Sequence, residues 1–189
     1  DAATRCYSCI SMTTLAAVAG IALILLVLWD SFETIVLPRR VTRQIRLARL
    51  YYRATWKPWA AILDTIHSPK RRQTYLGFYG PLSLLGLLVV WAAMLVLGFA
   101  LVHWALGSSV SISSGAETGF WTDLYLSGTT FFTLGLGDVT PRGPLARLLT
   151  VVESGTGFAF LAIMIGYLPT IYQAFSRREV NIVLLDARA

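Results

Sequence analysis

With 189 residues, 56% of them hydrophobic and 14% charged, the chain falls well short of the roughly one-quarter charged residues of a soluble domain. The apolar residues gather in three stretches and the mean hydropathy is +0.63, so an integral membrane protein is expected and no large soluble domain fits in the remainder. The net charge of +6 flanks those stretches, which assigns it to a membrane surface and not to nucleic acid.

The chain begins at Asp1 and not at Met, as a fragment or processed form would. Residues 1–11 are short and polar and are expected to be poorly ordered. They hold Cys6 and Cys9, a lone Cys-x-x-Cys. No further ligands for zinc stand nearby and no thioredoxin-like context surrounds the pair, so no catalytic role is expected. Residues 15–37 form the first span, too long and too strongly flanked by arginine for a signal peptide. Asp30 and Glu33 sit near its end, three apart and so on one helical face. A salt bridge from this pair to an arginine of the next helix is the plain reading; the sharper one is a cluster of Asp30, Glu33, Arg40, Arg43 and Arg46 that couples that helix to gating.

Residues 38–74 are a basic segment in which ten cations, from Arg39 to Arg72, face the single acid Asp64. Apolar residues recur at Val41, Ile45, Ala48, Tyr52, Trp56, Trp59, Leu63 and Ile66, gaps of three and four that predict a helix with one apolar stripe. A basic amphipathic helix with tryptophans belongs on a membrane surface, held by anionic lipid, and the positive-inside rule puts it in the cytoplasm. Arg40, Arg43, Arg46 and Arg49 recur every third residue and resemble the charged helix of voltage sensors. Such a helix must cross the field among partner helices that supply countercharges, and only one span precedes this one.

Residues 75–176 are read as a unit: an outer helix at 80–106, a short helix at 120–132, a loop at 133–138 and an inner helix at 145–175. His103 and Trp104 close the second span at aromatic-belt depth, where His103 is expected to be an interfacial side chain. His67 has no evident partner. Residues 107–119 are rich in serine and glycine and predict a surface loop. The helix at 120–132 is about 20 Å long, too short to cross a bilayer, and Asp123 lies in its first turns, where the helix dipole favours negative charge. The third span carries Gly155, Gly157, Gly166 and Pro169, which fit either close helix packing or a gating hinge. Residues 177–189 begin a cytoplasmic tail behind Arg177 and Arg178. The topology that follows is an outside N-terminus, three spans of a plasma or inner membrane, and an inside C-terminus.

The loop between the short helix and the third span is unlike an ordinary connection. Thr129-Thr130-Phe131-Phe132 leads into Thr133-Leu134-Gly135-Leu136-Gly137-Asp138, half apolar and half hydroxyl, and glycines recur at every second position. Backbone of this kind is tolerated at membrane depth only where it is buried in protein or lines a water-filled cavity. Residues 133–138 resemble the selectivity filter of potassium channels, usually Thr-Val-Gly-Tyr-Gly-Asp, and leucine in place of tyrosine also occurs in second-pore loops of two-pore-domain potassium channels. The resemblance covers about residues 80–176. It implies an all-α membrane protein of three transmembrane helices with a re-entrant pore helix and filter loop, assembled as a homotetramer, with no enzyme activity and no cofactor beyond the permeant ion.

The resemblance also implies roles for residues. The carbonyls of Thr133, Leu134, Gly135 and Leu136 would coordinate potassium, with Gly137 completing the filter and the Thr133 hydroxyl adding the innermost oxygen. An ion leaves water only if oxygens of similar strength replace its hydration shell, and carbonyls serve if successive ones point the same way. Gly135 and Gly137 reach positive φ at little cost and so permit it. Asp138, Thr129 and Thr130 would support the filter from behind. Leu136 lacks the tyrosine hydroxyl, and Phe131-Phe132 replaces smaller residues, so a weakly selective cation channel is the alternative within the class. From another class, Gly135-Leu136-Gly137-Asp138 matches the Gly-x-Gly-Asp of intramembrane aspartyl proteases, with Asp30 as second carboxylate. That pair would stand near opposite faces of a hydrocarbon layer about 30 Å thick, which argues against a shared proton.

Overall fold

Helices follow the apolar runs. The computed structural model describes residues 2–35, 47–64, 69–107, 110–112 and 119–186. Their elements are α1 (Ala2–Ile35), α2 (Leu47–Asp64), α3 (Pro69–Ala105), β1 (Val110–Ile112), α4 (Phe120–Phe131), β2 (Val139–Pro141) and α5 (Pro144–Asp186). Three helices carry stretches long and apolar enough to cross a membrane, Met12–Thr34, Leu82–Ala105 and Pro144–Gly166. The protein is thus a helical membrane protein with, among the described residues, two three-residue strands. The chain forms two compact units, Asp1–Phe158 and Ala159–Ala189. The second unit consists, among described residues, of the C-terminal part of α5, and it contains Gly166 and Pro169.

Three boundaries differ from the sequence expectation. The stretch expected to be poorly ordered is helical from Ala2, because no glycine or proline interrupts the chain before Gly20 and each added residue of a growing helix gains a backbone bond. The described residues of the basic segment fall in two elements: α2 over Leu47–Asp64, and α3, whose first turns hold Lys70, Arg71 and Arg72. Pro69 begins that helix, where its fixed φ suits the first position and its missing N–H is no loss. The serine- and glycine-rich connection includes β1, which pairs antiparallel with β2 in the register Val110 with Pro141, Ser111 with Thr140 and Ile112 with Val139. This ribbon ties the segment before α4 to the segment after the glycine loop.

Within the first unit, α3 is the central helix and packs against α1, α2 and α4. Val27, Leu87, Leu88, Trp91, Leu95, Phe99, Ala100, Leu126 and Phe131 make the core. The α1–α3 crossing is close because glycine faces glycine. A Cβ on Gly20 would stand 2.7 Å from the Gly98 carbonyl oxygen, and one on Gly98 would stand 2.8 Å from Ile24 Cγ1. Small residues of this kind let helices meet in lipid, where burial of apolar surface does not drive association.

The surface helix α2 is fastened at both ends. Its Ala48 N–H, one of the free donors of a helix start, donates to Asp30 Oδ2 of α1 at 3.2 Å. The same oxygen accepts from Trp91 Nε1 of α3 at 3.1 Å. Toward its other end, Trp56 and Trp59 pack on the Tyr79 ring at 5.0 and 5.8 Å, and the Thr55 hydroxyl lies 2.9 Å from the Tyr79 hydroxyl. The Tyr51 hydroxyl fills the space where a Gly86 side chain would stand; burial, with Tyr79 beside it, pushes the Tyr51 phenol above its ordinary pKa. Arg49, Arg53 and Lys57 remain exposed on the opposite side.

Candidate functional site

The short helix α4 delivers the chain into the glycine loop. Its last turn is closed by three backbone bonds, Phe132 N–H to Gly128 O at 3.1 Å, Thr133 N–H to Thr130 O at 3.0 Å and Leu134 N–H to Thr129 O at 2.8 Å. Thr129 and Thr130 therefore hold the start of the loop through their carbonyls, while the Thr129 hydroxyl turns back to Leu126 O at 3.0 Å.

The loop itself has an unusual backbone. φ is positive at Thr133 (56°), Gly135 (57°) and Gly137 (78°), and stays negative at Leu134 and Leu136 between them. In a strand every residue has φ of one sign and carbonyls alternate from side to side. Where left- and right-handed residues alternate, successive N–H groups line one side and the carbonyls are left to the other. The glycines adopt this form freely. Thr133 does not, since a β-branched residue at positive φ is a strained exception. Strain there was not legible from the sequence, which marks the two glycines only. Leu134 and Leu136 are each 63% exposed and Phe132 is 48% exposed, so these side chains do not pack into the core of the chain.

Asp138 lies just past the loop, and its Oδ2 accepts a 2.9 Å bond from the Tyr125 hydroxyl of α4. That bond pushes the Tyr125 phenol above its ordinary pKa, because the carboxylate favours the protonated form. Tyr125 and Asp138 are thirteen residues apart, and only the return of the chain past α4 brings them together. Asp30 takes its bonds from α2 and α3, while Asp138 takes this one from α4.

Behind α4 stands a buried polar cluster that includes a residue the sequence reading passed over. Glu153 of α5 is fully buried, and its Oε1 meets the Ser127 hydroxyl of α4. Its Oε2 lies 3.1 Å from Nε2 of His103 on α3. The Ser127 hydroxyl also reaches Val96 O of α3 at 2.8 Å. His103 is not the interfacial side chain expected from its position at the end of the span: it is 2% exposed and turned inward by its carboxyl partner. The signal that could have found this site is an acid in mid-span, since such a residue in lipid must find a partner. Asp123, one turn before Ser127, is also fully buried.

The remaining candidates separate. A Cβ on Gly157 would run into the backbone of Phe131 at the end of α4, so this glycine is a packing position. Gly155 and Gly166 have open space where a Cβ would stand, and the Pro169 side chain lies outside the described residues. Asp30 and Glu33 are buried, and Asp30 accepts from a tryptophan and from a helix N-terminus. Arg40, Arg43 and Arg46, with His67, lie outside the described residues, so their part in the cluster has no structural counterpart here.

A family model described as "Ion channel" matches residues 86–174, from mid α3 through α4 and the loop into α5. Protein LctB of Geobacillus stearothermophilus is 33% identical over 93 residues, 44% of this chain and 69% of LctB. The chain belongs to this ion-channel family. Protein LctB of Bacillus caldotenax matches at the same identity and over the same shares. The membrane protein YdjJ of Bacillus subtilis is 32% identical over 105 residues, 55% of this chain but only 31% of YdjJ, so the chain spans about a third of that relative's length. No solved structure matches it.

Proposed function

We propose that the protein is a potassium-selective channel whose pore forms on the axis of a homotetramer. The observation that carries this reading is the alternating sign of φ from Thr133 to Gly137, a pattern that lets successive carbonyls turn to one side of a loop. One chain supplies only one wall of such a site, and a ring of carbonyls must close around a dehydrated ion. The exposure of Phe132, Leu134 and Leu136 supports a neighbouring copy beside each loop, and cyclic symmetry is the natural closure. The carbonyls of Thr133, Leu134, Gly135 and Leu136 coordinate potassium, Gly137 permits the final reversal, and Asp138 is braced by Tyr125. Potassium is the permeant species and no other cofactor is called for. The C-terminal end of α4 directs its partial negative charge toward the ion path.

In the membrane, the N-terminus is outside and the C-terminus cytoplasmic. The exposed Arg49, Arg53 and Lys57 of α2 then face anionic headgroups, each worth about 1 kcal/mol near the surface. Asp30, which joins α1, α2 and α3 at one oxygen, couples that helix to the pore-bearing part of the chain.

The test is flux from liposomes holding the purified chain, with potassium and sodium gradients compared and subunit number read by cross-linking. Potassium flux well above sodium flux from a four-fold assembly is expected. Equal fluxes would give the weakly selective channel instead, and absence of flux with peptide cleavage would give the protease.

A further inference from the structure

Three helices of the channel meet at one buried carboxyl. Glu153 of α5 touches Ser127 of α4 through Oε1 and His103 of α3 through Oε2, and all three residues are at most 2% exposed. Ser127 lies on the pore helix, two residues before Thr129, whose carbonyl receives the Leu134 N–H of the loop. Whatever holds Ser127 in place therefore holds the segment from which the filter starts.

Counting hydrogens identifies how the contacts are made. The Ser127 hydroxyl has one proton and two oxygen neighbours, Glu153 Oε1 and Val96 O. Val96 O is a carbonyl and can only accept. If Ser127 donates to it, the Glu153–Ser127 contact needs a proton from Glu153. The second carboxyl oxygen then accepts from His103 Nε2–H. One arrangement thus uses every contact: His103 donates to Glu153, Glu153 to Ser127, and Ser127 to Val96 O. It contains three donors, three acceptors and no net charge when His103 is neutral, which suits a site sealed from water. In the competing arrangement an ionised Glu153 takes the Ser127 proton, and Val96 O loses it.

The geometry points to Glu153 as a positioning residue that, as an uncharged acid, ties the outer helix and the pore helix to the inner helix and so fixes the start of the filter. This inference rests on the channel reading above. It assigns to Glu153 no contact with the ion.

The purified chain, in liposomes, is compared as wild type, Glu153→Gln, Glu153→Ala and Ser127→Ala. Glutamine can donate to Ser127 and accept from His103, so E153Q keeps the potassium-over-sodium preference within about twofold. E153A and S127A each leave a buried group without its partner and lower that preference by about tenfold, while potassium still passes. A general loss of stability would lower total flux without changing the ratio. Infrared difference spectra of wild type against E153Q give a readout that needs no flux: the carbonyl stretch of a protonated carboxyl is lost in the variant. Three results overturn the inference: E153Q as impaired as E153A, an E153A ratio equal to wild type, or loss of carboxylate bands alone in the infrared. Should E153A or S127A fail to assemble, E153Q and the infrared band decide. A wild-type chain that passes no ions would overturn the channel reading and this one with it, whereas failure in the variants alone leaves the channel reading standing.

Discussion

Adding one methyl group to Gly157 separates packing from helix propensity. The new Cβ would stand 2.9 Å from the carbonyl carbon and 3.1 Å from Cα of Phe131, and closer still to the carbonyl oxygen. Carbon atoms settle at roughly 3.5–4.0 Å, so α5 would have to draw back from the end of α4 by about 1 Å. Backbone is in the way and cannot swing aside as a side chain would, so overpacking of about 1–3 kcal/mol is expected. Alanine also gains about 1 kcal/mol over glycine in a helix interior, which hides part of that loss. Gly155, two residues earlier in the same helix and with open space around it, supplies the control. The propensity term is common to both, so G157A should be less stable than G155A by about 1–3 kcal/mol. Thermal unfolding of both variants in the same detergent measures the gap, and liposome flux shows whether the displaced helix end disturbs conduction. Equal stabilities would refute the close approach of α5 to Phe131.

Other substitutions probe the remaining ties. Asp30→Ala leaves Trp91 Nε1 and the Ala48 N–H unpaired in a buried place, so a loss of about 2–5 kcal/mol is expected by thermal unfolding; a change under about 0.5 kcal/mol would remove Asp30 from its capping role. Gly20→Val should loosen the α1–α3 crossing by about 1–3 kcal/mol, and an unchanged melting point would count against that contact. Thr133→Gly relieves a strained φ of 56° at about 1–3 kcal/mol, so a more stable chain is expected by melting, and the proposed function adds a lower potassium preference by flux. Tyr125 titrates above its ordinary value because Asp138 holds its proton, so this bond supports the fold below the ordinary phenol pKa and is lost as pH rises through the raised one. Ultraviolet titration should show one tyrosine moving back down in Asp138→Asn, and no movement would break the assignment.

Much of this fold follows from local features. Long apolar runs predict α1, α3 and α5, the recurrence at Ala48, Tyr52, Trp59 and Leu63 predicts the inward face of α2, and paired glycines mark where the backbone reverses. What escaped is what depends on chain return. Nothing local to Asp138 names Tyr125, and nothing local to Asp30 names Trp91, sixty-one residues later. The positive φ of Thr133 escaped for another reason: a threonine adopts it only when the bonds of Thr129 and Thr130 on one side and Gly135 on the other demand it.

Glu153 is the most instructive omission, because the means to find it were present. An acid in the middle of an apolar span cannot face lipid cheaply. It requires a donor at the same depth on another helix, and His103 closes the span that precedes it while Ser127 interrupts the apolar stripe of α4. Each of the three, taken alone, has an ordinary explanation: an interfacial histidine, a helix serine and a stray acid. Taken together they are polar residues, one on each of three helices, that are buried when α3, α4 and α5 pack. The physics of lipid thus ranks them jointly, where reading each by its own neighbours does not. The same constraint keeps the cluster on the buried face of α4, where its bonds are made within the protein and not to lipid.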